Sequence, residues 1–170
     1  MPRPYFRADN FHCHQSLGYL TRRVQNLTNP HAEAIFADQD LTFTQWISLM
    51  GLREGVAETS ADLARHLNHD AGAVTRVVDE LEKRGLVRRE RSKSDRRVVK
   101  LTLTPQGRVV ARMHVPPIVE FWNRVTDDFS AKEIKQLLSL MTRLIARLEA
   151  EPMHEPAATE TTKKQKRAVK

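Results

Sequence analysis

A mainly α-helical fold with one small β-hairpin is what this chain of 170 residues predicts, and two observations decide it. Apolar residues recur at helical spacing through most of the chain, as in Leu17, Leu20, Val24 and Leu27, which is the pattern of an amphipathic helix. Over residues 86 to 103 the period drops to two, through Val87, Val99, Leu101 and Leu103 around a turn-forming SKSD, and that reads as a hairpin. A hydrophobic content of 40% with 29% charged residues suffices for one ordinary core, so a single folded domain is expected.

The elements follow in order. The arm of residues 1–14, MPRPYFRADNFHCH, lacks the apolar centre of a signal peptide. Residues 15–28 form the first helix, which Pro30 is expected to interrupt before a second piece, AEAIFAD, so that 15–38 is helical apart from that break. Thr42 and Gln45 make a capping box for a helix carrying Trp46, Ile47, Leu49, Met50 and Leu52, which ends near Gly55. Thr59 and Asp62 cap a short helix with Leu63, Ala64 and Leu67 inward and Asn68 as its stop. Asp70 caps the next, whose Val74, Val77, Val78 and Leu81 share a face, and Gly85 closes it.

The hairpin strands are expected at 86–91 and 97–103. Thr104 and Pro105 then supply a cap and first position for a helix through Val109, Val110 and Met113, and Pro116 with Pro117 should break or kink it. Ile118, Phe121, Trp122 and Val125 resume an apolar face. Ser130 with Glu133 caps a last helix, whose stripe runs through Ile134, Leu137, Leu138, Met141, Leu144, Ile145 and Leu148. Pattern alone does not separate core from subunit interface for that stripe. Residues 151–170, ending in KKQKRAVK, have little to bury and are expected to form a disordered basic tail that adds at most nonspecific affinity for polyanions.

Two short helices joined by a tight turn and followed by a basic hairpin make a winged helix-turn-helix over residues 42–104, flanked by long helices at 15–38 and 105–149. Twenty-eight Lys and Arg against 21 Asp and Glu give a net charge of +7, which points to a polyanionic partner: nucleic acid first, a membrane surface second. No apolar run is long enough to span a membrane. On the second helix of the motif, Gly72, Ala73 and Thr75 allow close approach to a major groove, while Arg76 suits a guanine edge or a phosphate. A surface salt bridge from Arg76 to Asp79 or Glu80 is the competing reading. Lys83 lies further along the same face, where Asp79 and Glu80 would repel phosphates and so favour end-on entry. At the hairpin, Arg91, Lys93, Arg96 and Arg97 flank Asp95, and a thin cationic tip fits a narrow minor groove. A solvated edge hairpin kept soluble by charge is the alternative.

The stretches LTFTQWISLMGL and DAGAVTRVVDELEKRGLVRRERSKSDRRVVKLTLTPQG resemble the MarR (multiple antibiotic resistance regulator) family of bacterial transcription factors, over roughly residues 15–149. The resemblance implies a homodimeric repressor on a pseudo-palindromic operator in double-stranded DNA, paired through its first and last helices. By position it assigns Asp95 to bracing the wing and Arg97 to the minor groove, and leaves Arg96 a phosphate contact at most.

Tyr19, Arg23, Trp46, Met50 and Met113 offer rings, thioethers and one cation, a set suited to a small aromatic carboxylate or phenol as effector. They read equally well as plain core and surface residues. His12, Cys13 and His14 are too close in sequence to converge on one tetrahedral ion, so neither a metal nor another cofactor is expected. The single cysteine leaves a reduced cytoplasm as the simplest location. Cys13 as a redox switch is an alternative, but aligned through TFTQW the reactive cysteine of hydroperoxide-sensing relatives falls on Gly18. No glycine-rich phosphate loop, nucleophile elbow or framed carboxylate pair suggests an enzyme. A nonspecific architectural DNA binder is the more serious rival.

Overall fold

Seven helices and one hairpin follow one another in the computed structural model, which describes residues 5–37, 40–92 and 94–152. The basic tail expected from residue 151 onward, with its KKQKR, lies almost wholly outside the described residues, as does Lys93. Contacts divide the chain into two compact units, Met1–Asn123 and Arg124–Lys170.

In the first unit a short 3-10 turn at Cys13–Gln15 leads into α1 (Leu17–Phe36), capped by the Ser16 hydroxyl. Pro30 stands inside α1 and does not interrupt it, contrary to the expectation from TNPH. The ring removes one amide donor at an exposed position, a local loss that the flanking turns absorb. Both anticipated capping boxes are present, at Thr42–Gln45 before α2 (Phe43–Arg53) and at Thr59–Asp62 before α3 (Ser60–Leu67). Asn68 ends α3 in the left-handed region at φ 50°, and Asp70 caps α4 (Ala71–Lys83) by accepting the Ala73 amide. Gly85, at φ 67°, turns the chain from α4 into the hairpin.

Strands β1 (Val87–Arg91) and β2 (Val99–Leu103) pair antiparallel, with Val87 opposite Leu103 and Arg89 opposite Leu101. The segment after α2 reinforces the outer strand, since the Leu101 amide donates to the Glu58 carbonyl at 2.8 Å and the Lys100 ammonium pairs with the Glu58 carboxylate at 2.6 Å. The core joins Leu49, Leu63, Val74, Val78, Leu81, Leu86, Leu101 and Leu103, so α2, α3, α4 and the hairpin bury one another's apolar faces.

Helix α5 (Pro105–Met113) is capped by the Thr104 hydroxyl. The helix breaks at His114, and Pro116 and Pro117 occupy the first turn of α6 (Val115–Val125), where missing amide donors cost nothing. Gly107 is a requirement of the packing: a Cβ there would lie 2.0 Å from the Leu86 carbonyl oxygen. In the second unit α7 (Ala131–Ala150) opens with the Ser130–Glu133 capping box and buries none of its residues.

Candidate nucleic-acid interface

Asp70 holds the entry of α4 with its carboxylate on the Ala73 amide, which fixes Gly72, Thr75 and Arg76 on the exposed side of the first turns, with Ala73 half-buried between them. The Ala73 amide, ahead of desolvation and with help from the Gly72 amide and the nearby Arg76 charge, keeps the Asp70 carboxyl below its ordinary value. Arg76 forms no ion pair among the described residues, so the salt bridge to Asp79 or Glu80 that the sequence allowed is not made. Asp79 is taken instead by Arg89.

The basic cluster of the hairpin separates by strand parity. Arg89 shares the inward face with Val87, and its guanidinium donates to Asp79 Oδ1 at 2.7 Å and to the Glu82 carboxylate, while its amide donates to Glu82 Oε1 at 3.2 Å. Partial burial opposes its charge, but the hydrogen bonds to Asp79 and Glu82 outweigh that cost and raise its affinity for the proton. Arg88 on the outer face pairs with Glu90 at 2.8 Å. Arg91, Arg96 and Arg97 are exposed and make no ion pair among the described residues.

The tip is a four-residue turn closed by the Val98 amide on the Asp95 carbonyl at 3.0 Å. Within it Asp95 Oδ1 accepts the Arg97 amide at 2.9 Å, the side-chain turn that Asp forms two residues ahead of its target. The motif therefore presents Arg96 and Arg97 as its two central residues. Ser92 carries the base of the turn, with its amide on the Val98 carbonyl and its hydroxyl within 2.9 Å of that of Ser94. Lys83 is exposed at the far end of α4. A neutralised wing base, an unpaired cationic tip and an uncluttered first turn of α4 form a surface able to meet both a groove and its phosphates.

Comparison with known proteins agrees with that geometry. A family model described as "MarR family" matches residues 41–99. The chain is 35% identical over 128 residues to the HTH-type transcriptional repressor Rv2887 of Mycobacterium tuberculosis, an overlap of 75% of this chain and 92% of that protein. The chain belongs to the MarR family. Apo MarR from E. coli superimposes with a TM-score of 0.64 at 25% identity, covering 76% of this chain and 96% of MarR. Bordetella bronchiseptica BpsR, whose DNA binding is regulated by 6-hydroxynicotinic acid, gives 0.66 at 25% identity, covering 79% and 96%. The winged-helix architecture and DNA-binding character of this MarR-family regulator follow from those matches, and among the described residues no helix is long and apolar enough to cross a membrane.

The five residues expected for an effector stand in different surroundings within the single chain. Trp46 is buried and donates its indole N–H to the Ala111 carbonyl at 3.0 Å, which places it in the core. Met113 is 65% exposed, Arg23 is exposed, Tyr19 sets its ring edge-on to His14, and Met50 packs partly buried on the core. Two clefts open elsewhere on the first unit, one beside Leu41, Lys83 and Arg84 and one beside Phe43, Ile47 and Leu67, and none of the five lines either. Sequence reading also missed the role of Arg89. The signal was there, because Arg89 lies two residues from the apolar Val87 on a strand and so shares its face.

Proposed function

We propose that this MarR-family protein is a homodimeric, cytoplasmic transcriptional repressor of a pseudo-palindromic operator. Gly72, Ala73, Thr75 and Arg76 enter the major groove, Arg97 reaches the flanking minor groove, and Arg91, Lys93, Arg96 and Lys83 serve the phosphates. The observation that carries this reading is the sorting of charge on the wing: Arg88 and Arg89 are neutralised by acids, whereas Arg91, Arg96 and Arg97 are left for a partner. The repressor names of the relatives support the direction of regulation.

The dimer is supported by two apolar stripes left uncovered in one chain. Leu17, Leu20, Val24 and Leu27 are exposed on α1, and Leu137, Leu138, Met141, Ile145 and Leu148 on α7. Two copies then present two α4 helices to half-sites about one helical turn apart. Selection from random duplex DNA is expected to return a palindrome that unrelated duplex fails to compete away, and light scattering is expected to give a dimer. Efficient competition by any duplex favours the architectural binder instead.

The effector is a small aromatic acid or phenol, with Arg23 as its cation and Tyr19 as its neighbouring ring. The relative whose DNA binding responds to 6-hydroxynicotinic acid supports that chemical class. An operator titration with salicylate-like and hydroxycinnamate-like acids is expected to show release that Arg23→Ala weakens and Cys13→Ser leaves intact. Release by peroxide alone, lost in Cys13→Ser, would transfer the role to the exposed thiol.

A further inference from the structure

Thr75 stands exposed on the second turn of α4, and its hydroxyl donates to the Ala71 carbonyl at 2.8 Å. That bond spends the one proton the side chain can donate. Thr75 keeps two things for a partner, the acceptor lone pairs of Oγ1 and the Cγ2 methyl. With Oγ1 drawn back against the helix backbone, the methyl is the freer of the two branches.

The neighbours of Thr75 narrow what can meet it. Asp70 Oδ1 accepts the Ala73 amide at 2.8 Å, which closes that amide to a phosphate, and the carboxylate itself repels one. Gly72 is exposed and has no side chain to hold a base away. Among residues 71–77 Arg76 is the one charged side chain, and it makes no ion pair among the described residues.

In the major groove the base pairs differ by their donors, their acceptors and a single apolar mark, the C5 methyl of thymine. Resting on the reading that α4 enters that groove, we propose that Thr75 selects thymine through its Cγ2 methyl and that its hydroxyl reads no base. The contact removes two methyl groups from water. A purine at the same place presents its N7 acceptor to a hydroxyl whose proton is already taken, so that acceptor loses its water and gains no partner. Arg76 is left as the charged donor of the same half-site.

The operator obtained by selection from random duplex DNA carries the test. Each thymine is replaced by uracil, which lacks only the methyl, at the same position in both half-sites, and the full-length protein is titrated against each duplex. One position is expected to lose about fourfold in affinity per half-site, about fifteenfold for the pair. Cytosine and 5-methylcytosine placed there should differ by a similar factor, because the methyl is the group being read. Thr75→Val keeps the methyl and removes the hydroxyl, and should preserve the preference for thymine over uracil. Thr75→Ser keeps the hydroxyl and removes the methyl, and should bring that preference close to one. Each preference compares two duplexes on one protein, so a change in stability cancels. A scan without loss at any thymine, equal binding of cytosine and 5-methylcytosine, a preference retained by Thr75→Ser or one abolished by Thr75→Val overturns the methyl contact and leaves operator recognition standing. Failure of the selection to return any operator overturns the parent reading and this contact with it.

Discussion

The Arg89 guanidinium lies 2.7 Å from Asp79 Oδ1, and this contact fastens the wing to the second half of α4. Glu82, three residues after Asp79 on α4, takes the other arm of the guanidinium and the Arg89 amide. Strand and helix each contribute charges that would be liabilities alone. An inward arginine on β1 and two acids on α4 cancel, and a planar fork ties strand to helix.

Arg89→Ala should therefore cost about 1–2 kcal/mol of stability, at the lower end of a charged hydrogen-bond pair because the side chain is 28% exposed. Operator affinity should fall as well, through two acids freed beside the phosphates. Arg89→Lys keeps the charge but not the fork and should recover only part of both losses. Urea midpoints and operator titrations of the three proteins check this; an affinity loss with Arg89→Ala that Lys restores in full would show that charge alone matters.

Gly107→Ala should destabilise although alanine is the better helix former. The new Cβ would fall 2.0 Å from the Leu86 oxygen and 2.9 Å from its carbon, both backbone atoms that cannot swing aside. The cost is expected at about 2–3 kcal/mol from the forced separation of α5 from the start of β1. Chemical unfolding measures it, and a variant as stable as wild type would mean that the Thr104–Gly107 entry of α5 is loose.

Much of the architecture is legible in the sequence because caps and periods act locally. Thr42–Gln45, Thr59–Asp62, Asp70 and Ser130–Glu133 each announce a helix start through side chains within three residues of the amides they satisfy. Pro30 misleads for the same reason: a local rule predicts a break, yet an exposed proline costs one hydrogen bond that the length of α1 outweighs. The roles of Trp46, Arg89 and Gly107 depend on atoms 65, 10 and 21 residues away, at Ala111, Asp79 and Leu86. Local pattern cannot supply such partners. Parity could have separated Arg89 from Arg88, but not named Asp79.

Acid should erode the helix-turn-helix at Asp62. The Thr59 hydroxyl first, against the cost of partial burial, and then the Glu58 amide, Arg65 and the Thr59 amide hold its carboxyl below the ordinary value of 3.8. The folded chain thus binds fewer protons than the unfolded chain near that value. The contribution is complete above it and is lost as pH falls through the lower folded value. Asp62→Ala should cost about 1 kcal/mol at neutral pH, as loss of a capping partner does, and the gap should narrow progressively as pH falls below 3.8. Parallel urea titrations of both proteins across that range provide the check, and a gap independent of pH would remove the carboxylate from the account.

The wing arginines should divide by what already holds them. Arg88 is paired with Glu90, so Arg88→Ala should change operator affinity little. Arg97 is exposed and makes no ion pair among the described residues, and Arg97→Ala should cost about 1–3 kcal/mol with loss of preference for the sequence flanking each half-site. Arg96→Ala should act mainly through the salt dependence, lowering its slope by about one for a lost phosphate contact. Asp95→Ala separates the tip's shape from its charge. It removes the acceptor of the Arg97 amide and also a negative charge, so electrostatics alone would strengthen binding, whereas a loosened turn weakens it. Weaker binding is expected, because a guanidinium on an unpinned turn must be ordered each time it enters the groove. Operator titrations at two salt concentrations distinguish these cases, and tighter binding by Asp95→Ala would show that charge, not the geometry of the turn, governs the tip.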